Sequence, residues 1–377
     1  MHDPRVVARV GVLLGSAIVV LFLSGMVSHL HQNPVSWLPL PWGPAPAWGY
    51  RLTQGVHVTV GFACVPLVLA KLYTAYPRLF ERPALRGPWH AVERGSIAML
   101  VAATTFQIVT GVLNVFQVYP WQFSFVAAHY AASWVVMGSV VVHVGVKLPT
   151  IMSALRTSPS ETSPSKNDTD HRAADDGENA ATRRGFLAAV AVTTLGVVAL
   201  TVGQTFRPLA PIAILAPRDP RAGPQGLPVN KTATSAGVQD SATDPAWRLM
   251  LQGPDGDREL SRTELLTMSL TTAVVPIACV EGWSATATWT GVRIRDILSL
   301  VGGTEHDDVR VESLQEGGSY RESVLPAEWV ASPDTLLALR LGDEDLDLDH
   351  GYPARVVAPN RPGVLQTKWV ASMTVLR

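Results

Sequence analysis

Cys279 stands in the run Ile277-Ala278-Cys279-Val280-Glu281-Gly282-Trp283-Ser284 and is one of only 2 cysteines in a chain of 377 residues. A thiolate is a soft anionic ligand for a transition metal, whereas a buried protonated thiol is inert, and the residues alone leave both readings open. The other cysteine, Cys64, falls in an apolar run of membrane length. A bridge between the two would have to join a bilayer helix to a water-soluble domain, so the expected state of each is a free thiol.

Histidines are the second group whose spacing could do chemistry. His129 and His143 lie 14 residues apart in one charge-free run. On a helix that separation is about 21 Å of rise and ~40° short of whole turns, so both imidazoles face one side at opposite depths. His57 enters another apolar stretch of membrane length and His29 ends the first such stretch, 10–29, at the depth of His129. Haem iron in electron-transfer proteins takes axial imidazoles from facing helices. The spacing predicts an outer b-type haem between His57 and His129, with His29 as the substitute ligand. His143 suggests a second haem with His90 as its partner, and for any one of these histidines an ordinary satisfied side chain is the alternative. Gly61, Ala128, Ala132 and Gly138 are small enough to let a macrocycle approach the backbone.

These residues need elements to hold them. With 47% hydrophobic and 16% charged residues, the chain is more apolar than an ordinary globular protein. Charged side chains are absent from 10–50, 52–70, 95–146 and 185–206. A crossing helix needs about 20 apolar residues, which predicts spans near 10–29, 52–72, 95–116, 126–147 and 186–204. Arg5, Arg9, Lys71, Arg78, Arg82, Arg86, Arg94, Lys147, Arg156, Lys166, Arg172, Arg183 and Arg184 fall on one side of this alternation, against Arg51 on the other. The positive-inside rule therefore predicts a multi-pass membrane protein, in contact with lipid, with an inner amino terminus and an extracytoplasmic carboxy-terminal domain. The net charge of -1 and the lack of a basic stripe give no sign of a nucleic-acid partner.

The expected organisation is multi-domain. An all-α four-span membrane bundle occupies 1–150, a disordered cytoplasmic linker 151–184, and a fifth anchoring span 185–206. A proline-punctuated extended arm at 207–244 leads to an α+β domain at 245–377, with short strands near 309–312 and 354–357 and short helices near 263–268 and 293–300. Thr182-Arg183-Arg184-Gly185-Phe186-Leu187, just before the fifth span, matches the twin-arginine pattern that exports folded proteins; the alternative is a pair of arginines anchoring a helix end. The acidic run 343–349 lacks the glycine turn of a calcium loop and is expected to be a solvated turn.

Two segments, ACVEGWSATATWTGV at 278–292 and DHGYPARVVAPNRPGVLQTKWV at 349–370, together resemble the sulfite oxidase family of molybdopterin enzymes, and more closely its bacterial periplasmic branch. The resemblance implies that Cys279 is the protein ligand to molybdenum and the catalytic centre, with Trp283 and Ser284 shaping the wall beside it. It further implies that His350, Arg355 and Lys368 contact the pterin and its phosphate, with Gln366 and Thr367 offering backbone contacts. The family's Asn-rich element ahead of the cysteine has a thin counterpart in Leu227-Pro228-Val229-Asn230-Lys231-Thr232, which makes Asn230 a further cofactor candidate. The chain ends after the pterin-binding segment, without the additional β domain of animal and plant sulfite oxidases, so sulfite specificity is not carried over. Residues 10–148 resemble the four-helix cytochrome b subunits that exchange electrons with quinone.

The expectation is a membrane-bound molybdopterin-dependent oxidoreductase acting on a small substrate such as an S-oxide or sulfur compound, with one or two b-type haems and quinone or quinol as membrane partner. Two alternatives stand beside it. One is a molybdopterin-fold binding or relay protein without turnover, and the other a molybdenum enzyme with a haem-free membrane anchor.

Overall fold

The computed structural model describes residues 4–35, 43–79, 87–156, 169–219 and 221–376. Its amino-terminal part is helical: α1 (Pro4–Gln32), α2 (Gly49–Leu79), α3 (Pro88–Phe116), α4 (Phe125–Arg156) and α5 (Thr169–Thr201). Each holds a stretch long and apolar enough to cross a membrane. An uncharged apolar run that must satisfy its own backbone groups has a helix as its simplest solution. Where α3 starts, Pro88 fills the first turn, and Gln117 in the left-handed conformation (φ 57°) ends it.

The chain divides into two compact units. The first comprises Met1–Met26, Val56–Gly203 and Pro208–Pro217. Inside it, Val6, Val10 and Ala70 pack with Phe186 and Val190, while Ile18, Ala103 and Val136 form a second cluster and Val58, Phe62, Val115 and Val202 a third. Helix α5 thus shares buried contacts with α1, α2 and α3, where the sequence predicts a separate anchor beside a four-helix bundle.

A second difference concerns 151–184, expected to be an irregular linker. Helix α4 runs to Arg156 and α5 begins at Thr169, while residues 157–168 lie outside the described residues. The run TDHRAADDGENAATRR is rich in Ala and Arg. Those are good helix formers, and extending an existing apolar helix needs no new nucleus.

The second unit comprises Val27–Gly55, Gln204–Arg207 and Arg218–Arg377. Its proline-rich lead-in contains no long helix, only short turns such as Pro224–Gly226, then α6 (Ala233–Ala236) and α7 (Gln239–Thr243). The rest alternates β1 (Arg248–Gln252), β2 (Arg258–Ser261), α8 (Arg262–Thr267), β3 (Leu270–Ala278), β4 (Ser284–Arg293), α9 (Ile294–Leu298), β5 (Asp308–Ser313), β6 (Glu322–Leu325), α10 (Ala327–Val330), β7 (Leu336–Leu341), β8 (Glu344–Asp345), β9 (Arg355–Val357) and β10 (Val370–Leu376). Ser261 and Glu264 cap α8 reciprocally.

One sheet has the order β2-β1-β10-β5-β6, with β1 and β10 parallel; the other runs β3-β4-β7-β8, with β9 beside β7. Strand β7 is buried on both faces, so its residues divide by alternation. Leu337 and Leu339 join a core with Leu249, Leu251, Val311 and Met373 of the first sheet, while Leu336 and Ala338 face a second cluster with Val275, Ile277, Trp289 and Cys279. At the β4 bulge the strands come so close that a Cβ on Gly291 would collide with the Leu337 carbonyl oxygen.

Candidate functional site

Residues 279–283 form the hairpin loop between β3 and β4. The Cys279 N–H donates to the Trp283 carbonyl at 3.0 Å and the Gly282 N–H to the Cys279 carbonyl at 3.0 Å. Gly282 takes φ 89°, open to glycine at no steric cost, and this turns the chain back into β4. The Cys279 thiol is buried and free. It lines a cavity of about 170 Å³.

Into the same cavity come Asn230, Trp283, His350, Arg355, Gln366, Thr367 and Lys368. Ser284 does not line it. It starts β4 buried, with its hydroxyl lacking a hydrogen-bond partner among the described residues. Consecutive strand residues point to opposite faces, so Trp283 at the wall turns Ser284 away.

The segment from His350 to Arg355 bends tightly at Gly351, whose φ of 112° suits glycine. A Cβ there would stand 3.1 Å from the Cβ atoms of both Arg355 and Lys368, so the missing side chain lets the two cations approach one backbone turn. Arg355 is buried; its Nη1 donates to the His350 carbonyl at 3.2 Å, its guanidinium lies 5.5 Å from the Trp289 ring, and its Nε has no hydrogen-bond partner among the described residues. Burial lowers it to about 10. Lys368 Nζ donates to the carbonyls of Lys231 (2.8 Å) and Asp349 (2.7 Å). Burial first, and then neighbouring Arg355, pull it down to about 7.

Among the described residues no carboxylate stands at ion-pair distance from Arg355, Lys368 or Lys231. Cations buried without counter-charge are costly, and an anionic ligand relieves that cost. His350 Nε2 lies 2.7 Å from the Pro224 carbonyl, which fixes the proton on Nε2. Burial, Arg355 and Lys368 lower this imidazole to about 4, so it stays neutral. The Cys279 thiol is pushed well above its usual range, by burial first and then by Glu281. The cavity thus pairs a thiol, a soft ligand for a metal once deprotonated, with two cations that have no carboxylate at ion-pair distance among the described residues. That donor set fits a ligand bringing both a metal and a phosphate.

Four residues of this site were missed at the level of sequence. Glu281 Oε2 accepts from Asn230 Nδ2 at 2.6 Å, Lys231 Nζ bonds Gln315 Oε1, and Tyr320 closes one side of the cavity. Glu281 and Lys231 sit within the two runs already singled out, one position or two from Cys279 and Asn230. Gln315 and Tyr320 carry no local signal, because only the β5–β10 and β5–β6 pairings bring them there. The acidic run 343–349 forms β8 and a short 3-10 turn, and the described residues hold no cluster of His, Cys, Asp and Glu that could bind a metal ion.

The histidines separate into those brought together and those not. His57 on α2 and His129 on α4 are 6.2 Å apart by ring centroid, inclined at 71°. Thr110 Oγ1 lies 2.8 Å from the Phe106 carbonyl and 3.1 Å from His129 Nδ1. His57 Nδ1 is 3.1 Å from the Ser24 hydroxyl and from the Leu21 carbonyl. A carbonyl can only accept, so His57 is protonated on Nδ1, which leaves its Nε2 lone pair for a ligand, the arrangement seen at metal-bound histidines. Gly25 and Gly111 make room: a Cβ would fall 2.9 Å from His57 Cε1 and 3.3 Å from His129 Cε1. His29 Nδ1 is instead 3.5 Å from Asn33 Nδ2, one turn along its own helix. His143 lies 14 residues beyond His129, on the stretch of α4 where Lys147 pairs with Glu93 of α3. Neither His90 nor His143 joins the His57–His129 pair.

Residues 235–377 match the family model described as oxidoreductase molybdopterin binding domain. Sulfite oxidase from Arabidopsis thaliana is 34% identical over 114 residues, covering 25% of this chain and 29% of that protein. A nitrate reductase [NADH] from Hordeum vulgare is 33% identical over 101 residues, covering 24% of this chain and 11% of that protein. The crystal structure of the sulfane dehydrogenase SoxCD from Paracoccus pantotrophus has a TM-score of 0.33 at 21% identity, covering 42% of this chain and 44% of that one. The chain spans under a third of the length of the two enzymes it matches by sequence. The stretch matched by that family model contains Cys279, Arg355 and Lys368.

Proposed function

We propose that this chain is a membrane-bound molybdopterin-dependent oxidoreductase that acts on a small extracytoplasmic substrate, an S-oxide or another small sulfur compound. In this reading it exchanges electrons with quinone through a b-type haem. The observation that carries it is the convergence of a buried thiol with two cations lacking counter-charge, Arg355 and Lys368, on one cavity.

When bound, the molybdenum cofactor supplies two-electron oxygen-atom chemistry and haem supplies one-electron transfer. Cys279 gives up its proton to become a soft anionic ligand, and Asn230 Nδ2, 2.7 Å from the sulfur, offers that charge an N–H donor. Arg355 and Lys368 would hold the cofactor's phosphate through charge-assisted hydrogen bonds. Neutral His350 fixes the backbone turn between them through its bond to Pro224. Trp289 and Trp369, each buried beneath a cation, keep water from the floor.

His57 and His129 are the haem ligands of this proposal. The preset tautomer of His57 and the glycines facing both rings support it. Crossing of the membrane by the five helices, and export of the folded domain through the Arg183-Arg184 pattern, belong to the same reading.

The test is direct. The detergent-solubilised full chain should contain molybdenum, a pterin and a reducible b-type haem. Cys279→Ser should alter the molybdenum electron paramagnetic resonance signal and leave the haem spectrum as it was. An unaltered molybdenum signal defeats the ligand assignment.

A further inference from the structure

The loop that carries Cys279 has five carbonyls to satisfy, and two are met inside the loop: Cys279 accepts from Gly282 and Trp283 from Cys279. Buried carbonyls need partners, and a hairpin loop ordinarily leaves them to water. Here each of the remaining three receives a side chain from elsewhere in the same unit. Gln54 Nε2 donates to the Val280 carbonyl, Gln204 Nε2 to the Glu281 carbonyl at 3.0 Å, and Thr205 Oγ1 to the Gly282 carbonyl.

These donors are themselves fixed. Ser28 Oγ donates to Gln54 Oε1 at 2.9 Å, so the amide nitrogen must face Val280. Gln204 is fully buried. Thr205 rests against Gly55, where a Cβ would come within 2.7 Å of its Cγ2. A separate bond fastens the start of α2: Asn360 Oδ1 accepts from the Tyr50 N–H. None of Gln54, Gln204 and Thr205 lies in the matched stretch 235–377.

We infer that Gln54, Gln204 and Thr205 are positioning residues for the Cys279 sulfur: the metal-ligand loop is completed by side chains from outside the molybdopterin-type domain. The inference rests on the proposed reading of Cys279 as the molybdenum ligand. Three consecutive carbonyls pinned from one side leave the loop no freedom to rotate the thiol, and ligand geometry around a metal sets its electronics. None of the three touches the cofactor cavity, so they act through the loop.

The experiment uses the full-length protein. Thr205→Val keeps the shape and removes the hydroxyl, Thr205→Ser restores it, and Gln204→Met removes the amide donor. In molybdenum-loaded protein, Thr205→Val and Gln204→Met should shift the molybdenum electron paramagnetic resonance signal and lower kcat about tenfold with KM within about twofold. Thr205→Ser should return the wild-type signal. In cofactor-free protein carrying Cys64→Ala, the same two variants should raise the maleimide labelling rate of Cys279 about tenfold, as expected for a loosened loop. Wild-type signals and labelling rates in both variants overturn the inference. Absence of molybdenum from wild-type protein overturns instead the functional reading, and the labelling rates still decide whether the loop is held this way.

Discussion

The indole Nε1 of Trp283 donates to Oδ1 of Asn230 at 2.9 Å, and this bond fixes the direction of the Asn230 amide. An indole N–H can only donate, so the oxygen must face it and Nδ2 must face the other way. The nitrogen then stands 2.7 Å from Cys279 Sγ and 2.6 Å from Glu281 Oε2. Two opposed influences meet at the sulfur. Burial and the Glu281 carboxylate hold the thiol protonated, while the backbone N–H groups of Val280 and Glu281 act the other way, and the Asn230 amide adds a donor for a thiolate.

Asn230→Leu removes that donor. A hydrogen bond to a charged group contributes about 1.5–3 kcal/mol, so molybdenum binding should weaken roughly 10- to 150-fold. Asn230→Asp should lose more, because it adds a like charge beside the thiolate and Glu281. Trp283→Phe frees the amide to flip and should fall between wild type and Asn230→Leu. Molybdenum retained per chain after dialysis ranks the variants, and equal retention in Asn230→Leu and wild type would refute the role.

Arg355→Met and Lys368→Met should act in opposite directions on two measurements. Arg355 is a buried cation with no carboxylate at ion-pair distance, so its removal relieves the cofactor-free protein and Tm should rise at neutral pH, whereas Lys368, which titrates at about 7, should show the rise only below about pH 7. The same change removes a phosphate donor, so pterin content should fall by at least about tenfold. Thermal denaturation beside pterin fluorescence separates the two effects. A falling Tm in both variants would mean that these cations stabilise the fold and do not await an anion.

Cys279, Arg355 and Lys368 were legible because two segments, 278–292 and 349–370, resemble one enzyme family, and the β-hairpin and tight turns bring all three to one cavity. Ser284 was misread since its neighbour Trp283 already occupies the wall, and strand alternation sends the next side chain away. Gln315 and Tyr320 were invisible because they reach the cavity through pairings of strands distant in sequence. The five long apolar helices were plain from the charge-free runs. That α5 packs with α1, α2 and α3 was not, since lipid-facing and helix-facing apolar residues look alike in sequence.

Lys368 gives phosphate binding a pH dependence whose sign is fixed. In the cofactor-free protein it titrates at about 7, below its ordinary 10.5, and a bound anion favours its charged form. Above about pH 7 binding must therefore take up a proton, and affinity for inorganic phosphate should fall as pH rises, by up to about tenfold per unit. Between pH ~8.5 and ~9.5 inorganic phosphate keeps a nearly constant charge, so the slope there reports the lysine. Lys368→Arg should flatten it. The same depression makes the unfolded chain bind more protons between about 7 and 10.5, so stability of the cofactor-free protein should rise with pH across that window. Isothermal titration with phosphate checks the first slope and denaturant titration the second.

For the haem, the discriminating variants are the neighbours of the histidines. His57→Ala and His129→Ala should abolish the reduced-minus-oxidised b-type spectrum, whereas His143→Ala should retain it if the His57–His129 pair is the ligand set. Gly25→Ala is the sharper test: its Cβ would come within 2.9 Å of His57 Cε1, so the imidazole must move and haem per chain should fall. Gly111→Ala, with 3.3 Å to His129 Cε1, should do the same more weakly. Thr110→Val removes the hydroxyl 3.1 Å from His129 Nδ1 without touching Nε2. Such an outer hydrogen bond raises ligand basicity and favours the oxidised metal, so its loss should raise the haem midpoint potential while haem content holds. A b-type spectrum that survives His57→Ala and His129→Ala together would place any haem elsewhere in the helical unit and leave this imidazole pair as packing.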